Sequence, residues 1–299
     1  MSKKIMHLLT GTSFSGAENV ACQIMSCFKD DDEYEMFYCS PTGNIRDALK
    51  ERNIRFAPMK QWSLSEVKRV LCEEKPDIVH AHDFTASILV ALTRKNEKIV
   101  SHLHCNPLWI KAWNLKTIAY SYTISKYNNI LAVSSAVLNE FVASRRIKEK
   151  GTVIGNPIDV CEIQKNGEPS AEKEYDIAFL GRLSTEKNPL RYISIVSQLF
   201  DSNNKIKALM IGDGLQREEC LKKIKELDIE EVITMTGFLD NPYKILSRTK
   251  ILCVTSNWEG FGLMAVEGLA FGIPVVTTKV GGLKNIVTDE CGKFCDTDE

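Results

Sequence analysis

Glu259 and Glu267, with seven residues between them, bracket Gly260 and Gly262 in a stretch joining two apolar strand patterns, Ile251 to Ser256 and Val275 to Thr278. The glycines let the backbone approach a ligand closely. A helix beginning near Leu263 would point unpaired N–H groups into the same place, which suits an anion or a hydroxyl-rich ligand. Carboxylates so placed accept hydrogen bonds from neutral diols. Taken singly, each is better read as a solvated loop glutamate or a helix-start glutamate complementing the dipole. Arg182 and Lys187 follow another strand pattern, Asp176 to Gly181. They can neutralise charge on a leaving phosphate, although alone they read as exposed loop cations. Gly11 to Glu18 also joins a strand to a helix, as a phosphate or sugar loop does, but it has neither the G-x-G-x-x-G spacing nor a P-loop lysine. His80 with His82, and His102 with His104, alternate at two strand ends, each pair on one face. No metal is expected, because a zinc site needs a closed ligand set. His80 and His82 read instead as hydrogen-bonded strand-end histidines.

These residues need a scaffold, and the chain supplies a regular one. Of 299 residues, 44% are apolar and 26% charged, with 38 basic and 39 acidic side chains and a formal charge of −1, so no global field draws a polyanion. Short β-branched runs alternate with helical periods, the pattern of α/β folds with parallel sheets. Strands are expected over Lys4–Leu9, Glu35–Ser40, Arg55–Met59, Asp77–His82, Lys98–His104, Asn129–Ser134 and Thr152–Ile154. A second set is expected over Asp176–Gly181, Lys207–Ile211, Val232–Gly237, Ile251–Ser256 and Val275–Thr278. The polar stretch Gln164 to Tyr175 reads as a linker, so the expected division is a first domain over 1–163, a linker over 164–175 and a second domain over 176–299. Both halves read as doubly wound, with ligands at the carboxyl ends of strands in the cleft between them.

The ten cysteines are scattered, mostly in apolar runs, and read as reduced core thiols of a cytoplasmic protein. No run is long enough to span a bilayer. Between Lys98 and Asn139 there is no acidic residue, and Lys98, Lys111, Lys116 and Lys126 are interleaved with Trp109, Trp113, Tyr120, Tyr122 and Tyr127. That composition suits peripheral contact with an anionic membrane face, or a crossover helix packing its aromatics on a sheet.

The Glu259 to Glu267 run resembles the E-x7-E signature of retaining nucleotide-sugar glycosyltransferases of glycosyltransferase family 4. Gly181 to Asn188 resembles that family's G-R-L-x-x-E-K-G element, with Asn188 in place of the last glycine. Gly16-Ala17-Glu18 resembles its glycine-alanine-glutamate turn, and Val153 to Asp159 its interdomain stretch. The resemblance implies a GT-B fold of two Rossmann-like domains and transfer of a sugar, UDP-linked by preference, to a glycan or lipid-linked acceptor. The donor is a co-substrate; no cofactor and no nucleic acid are implied. It assigns the transferred sugar to Glu259 and to the loop of Gly260, Phe261, Gly262 and Leu263, and the ribose to Glu267. The donor diphosphate falls to Arg182 and Lys187, the base to Phe238 and Leu239, donor or acceptor contact to Gly16, and a position beside the sugar to His104, with His102 as the alternate register. The family continues through further helices beyond the position of Glu299, so the chain is expected to be a fragment or naturally short. Two other functions stay open: a catalytically silent sugar-nucleotide-binding protein of a glycan-synthesis assembly, and a sugar-nucleotide epimerase, which the glutamate pattern disfavours.

Overall fold

The computed structural model describes residues 2–14, 16–168, 170 and 172–295. Its contacts divide the chain into two units between Ile158 and Asp159.

In the first unit, seven strands are β1 (Lys3–Leu8), β2 (Tyr34–Pro41), β3 (Phe56–Met59), β4 (Ile78–His82), β5 (Lys98–Leu103), β6 (Asn129–Ala132) and β7 (Gly151–Val153). They form one sheet in the order β3-β2-β1-β4-β5-β6-β7. All its pairings are parallel. Parallel strands require crossovers, and the helical-period segments supply them. Pro76 follows the helix Leu64–Glu74, whose end is closed by Lys75 in the left-handed conformation (φ 48°). After β6 the chain forms a helix over Ser135–Glu140 and another over Ser144–Lys148, separated where Phe141 turns extended and is buried in the core. A cluster of Leu9, Ala21, Met25, Tyr38, Ile45 and Leu49 fills one side of the sheet.

The second unit holds β8 (Tyr175–Leu180), β9 (Ala208–Ile211), β10 (Ile233–Gly237), β11 (Thr249–Val254), β12 (Val275–Thr278) and β13 (Gly292–Cys295). Their order is β10-β9-β8-β11-β12-β13. These pairings too are parallel. Five strands fall where the sequence predicts them. The sixth, β13, is an edge strand with alternate residues exposed, too short and mixed in character to show in the sequence.

The join between units differs from the linker expected over 164–175. Val160–Gly167 is a helix capped by Asp159, whose Oδ1 accepts the Glu162 N–H at 2.8 Å. It packs within the second unit, where Gln164 Nε2 donates to the Ala270 carbonyl at 2.7 Å and Gly167 lies buried under Phe271. Only Ile163 and Gly167 of this helix are buried, so its apolar period is too weak to read. Of the expected linker, Pro169 and Ala171 lie outside the described residues.

Each sheet reverses its winding at one place: beside β1, where β2 and β4 flank it, and beside β8, where β9 and β11 flank it. Carboxyl ends of strands at such a reversal form the ligand crevice of doubly wound sheets. Gly16, Arg182, Lys187 and Glu259 follow strands at these reversals, whereas His102 and His104 lie at the end of β5 and Phe238 and Leu239 follow the edge strand β10.

Candidate active site

In the second unit, the loop after β8 carries Arg182, Glu186 and Lys187, and the loop after β11 carries Glu259. The Lys187 ammonium lies 2.5 Å from Glu259 Oε2 and 3.2 Å from Glu186 Oε1. Only 14% of the Lys187 side chain and 9% of the Glu259 side chain are exposed, so this is a buried pair rather than two solvated charges. Burial pulls the Lys187 pKa down, but the two carboxylates outweigh it by charge and hydrogen bonding, and the net shift is upward.

Backbone contacts hold these loops together. Thr255 Oγ1 donates to the carbonyls of Lys187 and Asn188 at 3.0 and 2.9 Å. Asn257 N–H donates to the Glu186 carbonyl at 2.8 Å, and its Nδ2 to that of Thr185 at 2.6 Å. Asn188 has φ 50°, a left-handed conformation that glycine and asparagine tolerate best. Its exchange for the family's glycine is therefore explained by backbone geometry. Asn188 Oδ1 also caps the helix Pro189–Ser202 by accepting the Arg191 N–H at 3.3 Å.

Gly262, with φ 108°, precedes the helix Leu263–Ala270. Among the described residues, the N–H groups of Gly260, Phe261, Gly262, Leu263 and Met264 have no hydrogen-bond partner. These are the donors anticipated from the sequence, gathered beside Glu259 at a helix start. Gly281 explains how the loop keeps its place: a Cβ there would lie 1.6 Å from the Glu259 carbonyl oxygen, so only glycine permits the approach. One turn into the helix, Glu267 accepts from the Tyr243 hydroxyl at 3.2 Å. Burial raises its pKa, against the lowering effect of that hydrogen bond and of Lys187.

The remaining assigned residues of this unit are more open. Arg182 is exposed and makes no hydrogen bond or ion pair among the described residues. Phe238 is 72% exposed, with Leu239 half-buried beside it. The strand ends below them are linked, Gly181 N–H donating to the Ile211 carbonyl and Gly212 N–H to that of Gly237.

In the first unit, Gly16 opens the helix Gly16–Cys27 and is exposed, while Glu18 is buried at 6% exposure. Ser15, between them and Gly11, lies outside the described residues. The two histidine pairs prove to be one assembly with His7 from β1. Parallel register sets His7 opposite His80 and His82 opposite His102. Ring nitrogens approach at 3.1 Å (His7 Nδ1 to His82 Nε2), 3.1 Å (His80 Nε2 to His102 Nδ1) and 2.8 Å (His82 Nδ1 to His104 Nε2). Burial, then the neighbouring rings, lowers the pKa of His7 to about 3 and of His102 to about 2, and lowers His80 and His82 as well. His104 falls to about 3 through burial. Two sets can hold a metal, His7–His80–His82 and His82–His102–His104, each with ligand atoms within 4.8 Å. Asp83, with φ 70°, accepts the His104 N–H at 3.0 Å and fixes the strand end.

The aromatic, lysine-rich segment divides. Tyr120 and Tyr127 are core residues, Lys111 pairs with Glu140 at 3.3 Å and Lys116 lies over the Trp109 ring. Trp113, Leu115 and Tyr122 are exposed at 61%, 87% and 71%. Of the ten thiols, Cys22, Cys39, Cys220 and Cys253 are buried and the other six are not, so the expectation of core thiols holds for less than half. No helix among the described residues is long and apolar enough to cross a membrane.

Sequence reasoning missed Glu186, Tyr243, Asn257 and His7. Nothing local marks Tyr243 or Asn257. His7 joins the other histidines only through the sheet order, which sets β1 beside β4.

Comparison with known proteins places this geometry. Residues 14–162 match Glycosyltransferase Family 4, and residues 161–298 match Glycosyl transferases group 1. The chain is 25% identical over 236 residues to an uncharacterised glycosyltransferase of Methanocaldococcus jannaschii, covering 71% of this chain and 58% of that protein. It is 32% identical over 193 residues to the N-acetylgalactosamine-N,N'-diacetylbacillosaminyl-diphospho-undecaprenol 4-alpha-N-acetylgalactosaminyltransferase of Campylobacter jejuni, covering 62% of this chain and 52% of that protein. The matched part thus spans little more than half the length of these relatives. Anabaena HepE, solved with UDP-glucose, aligns with a TM-score of 0.84 at 20% identity over 99% of this chain and 86% of that one. That likeness is one of fold, the GT-B architecture.

Proposed function

Because the chain belongs to the GT-B glycosyltransferases, its first half matching Glycosyltransferase Family 4 and its second half Glycosyl transferases group 1, we propose that it moves a sugar from a nucleotide diphosphate sugar, UDP-linked by preference, to a hydroxyl of a glycan or lipid-linked acceptor, with retention of anomeric configuration. The observation that carries this reading is the buried Lys187–Glu259 pair beside five unpartnered N–H groups. Cation, carboxylate and amide donors at one strand-end crevice are what a phosphorylated sugar needs. HepE was solved with UDP-glucose, and the Campylobacter relative is named for a diphospho-undecaprenol acceptor and an alpha linkage. Both fit the reading.

Arg182 and Lys187 hold the diphosphate, Glu259 and the loop of Gly260, Phe261, Gly262 and Leu263 hold the sugar, Glu267 takes the ribose, and Phe238 with Leu239 the base. Gly16 and His104 serve the acceptor and sugar side. The bond from the anomeric carbon to phosphate breaks, the acceptor oxygen bonds to that carbon on the same face, and a phosphate oxygen takes the acceptor proton. The cations stabilise the charge left on the diphosphate. Release of UDP that requires an acceptor tests the reading. UDP binding without turnover would establish a silent binder instead, and conversion of the donor without acceptor an epimerase. Arg182→Ala should lower kcat by about 10²–10³-fold; wild-type turnover would remove Arg182 from the reaction.

Peripheral contact with an anionic membrane face is supported by the exposure of Trp113, Leu115 and Tyr122 in the segment that also carries Lys111 and Lys116. Cosedimentation with phosphatidylglycerol vesicles should be lost on joint Lys111→Glu and Lys116→Glu substitution; unchanged cosedimentation would reject the contact.

A further inference from the structure

All five histidines of the chain stack together at the carboxyl ends of β1, β4 and β5, with His7, His82 and His102 buried and His80 and His104 half-buried. We propose that His82, His102 and His104 form a site for one divalent transition-metal ion of the zinc type, with His7, His80 and Asn156 as the outer partners that orient the three rings. This inference shares His104 with the glycosyl-transfer reading, which places that ring beside the sugar, and uses none of that reading's residues in the second unit; metal binding to the chain without donor or acceptor tests it separately.

The argument begins with protons. A neutral imidazole has one N–H and one lone pair. His7, His82 and His104 make a chain of two ring-to-ring contacts. If both are hydrogen bonds, one end of the chain must keep a buried N–H and the other a buried lone pair. Of those ends, His7 Nε2 has no hydrogen-bond partner among the described residues, and His104 Nδ1 has only Asn156 against it. His102 Nε2 also lacks a partner among them, although His102 is only 2% exposed. Buried polar atoms without partners are costly and uncommon, and several in one place mark a ligand that completes them.

An ion resolves most of this. With lone pairs on His82 Nδ1, His104 Nε2 and His102 Nε2 turned to the metal, the protons move to the opposite nitrogens. His82 Nε2–H then donates to His7 Nδ1, and His102 Nδ1–H to His80 Nε2, at the observed 3.1 Å. Asn156 lies against His104 and its buried Oδ1 has no partner, so it is placed to accept from Nδ1–H. Each ligand thereby gains an outer acceptor, the usual companion of metal-bound histidine.

Distances agree. Zinc–nitrogen bonds of about 2.0–2.1 Å at tetrahedral angles hold ligand nitrogens about 3.3 Å apart. Here each of the three histidines offers a ring nitrogen within 4.8 Å of the others, and the 2.8 Å between His82 Nδ1 and His104 Nε2 has to open by about 0.5 Å to admit the ion. Imidazole ligands favour Zn²⁺, Ni²⁺, Cu²⁺ and Co²⁺ over the oxygen-seeking Mg²⁺ and Ca²⁺. Three histidines leave a coordination position for water or a hydroxyl, and His104, half-buried where its partners are buried, is the side from which one arrives. The alternative set His7–His80–His82 also has one half-buried ring, His80, but an ion there would leave the buried His102 Nε2 without a partner.

The test uses the full chain without an affinity tag, stripped with chelator and titrated with Co²⁺ alone. The expected result is one Co²⁺ per chain, visible d–d bands without a thiolate charge-transfer band, displacement by Zn²⁺, and a Zn²⁺-dependent rise in thermal stability. His104→Ala should weaken binding at least a hundredfold. His80→Ala, which removes only an outer partner, should weaken it by about 10–100-fold. Wild-type far-UV circular dichroism confirms folding. If His104→Ala fails that check, His102→Gln, which preserves bulk, takes its place and should abolish the d–d bands. Absence of saturable binding to the folded wild type would overturn the site, as would binding unchanged by these variants or a thiolate band removed by cysteine substitution.

Discussion

Replacing Lys187 by Met removes the single cation of a carboxylate that is only 9% exposed, while keeping the length of the side chain. Glu259 retains Ser256 Oγ at 3.3 Å, a neutral partner that cannot balance its charge. Breaking a buried pair from one side costs about 3–5 kcal/mol. Glu259→Gln is milder, because Lys187 keeps Glu186 at 3.2 Å on a side chain that is 34% exposed; loss of one charged hydrogen bond costs about 1–3 kcal/mol. The two partners are thus unequal, and the double variant should be more stable than Lys187→Met alone. Urea unfolding of all four proteins, with hydrogen exchange in peptides of the second unit to localise the effect, gives the coupling energy. The pH dependence has a definite sign. The folded pKa of Lys187 lies above its ordinary value of 10.5, so its contribution is complete below that value and lost as pH rises through the folded pKa. Equal costs for the two single variants, or simple additivity in the double one, would refute this account of the pair.

Glu267→Gln separates stability from function. Burial raises the folded pKa of Glu267 above 4.5, so its stabilising contribution is present below that value and lost as pH rises through the folded pKa. At neutral pH the glutamine variant should therefore melt higher than wild type, with the gap closing in acid, yet bind UDP about ten- to hundredfold more weakly for want of a charged ribose acceptor; a lower melting temperature at pH 7 would contradict the burial argument. At Asn188, glycine suits the φ of 50° and loses only the cap, a cost of a few tenths of a kcal/mol. Alanine loses the cap and meets the left-handed penalty, about 2 kcal/mol together. Equal urea midpoints for the two variants would show that this conformation does not govern the position.

Local information determined more of this protein than its fold class. Twelve of the thirteen strands were legible because a buried parallel strand is an apolar, β-branched run wherever it occurs, as in Ile177 to Leu180 or Leu252 to Val254. The two loops of the second unit were marked by glycines and charged residues at the ends of such runs, but only their resemblance to a family's motifs set them apart from solvated loop residues. What stayed hidden depends on contacts distant in sequence. The Lys187–Glu259 pair spans 72 residues, and nothing within either loop states that β8 and β11 are neighbours. His7 joined the other histidines only when the sheet order set β1 beside β4. The helix Val160–Gly167 escaped notice because it buries too little to impose a period. Side chains respond to whatever packs against them, and for burial, ion pairing and ring stacking that partner is chosen by topology rather than by adjacent residues.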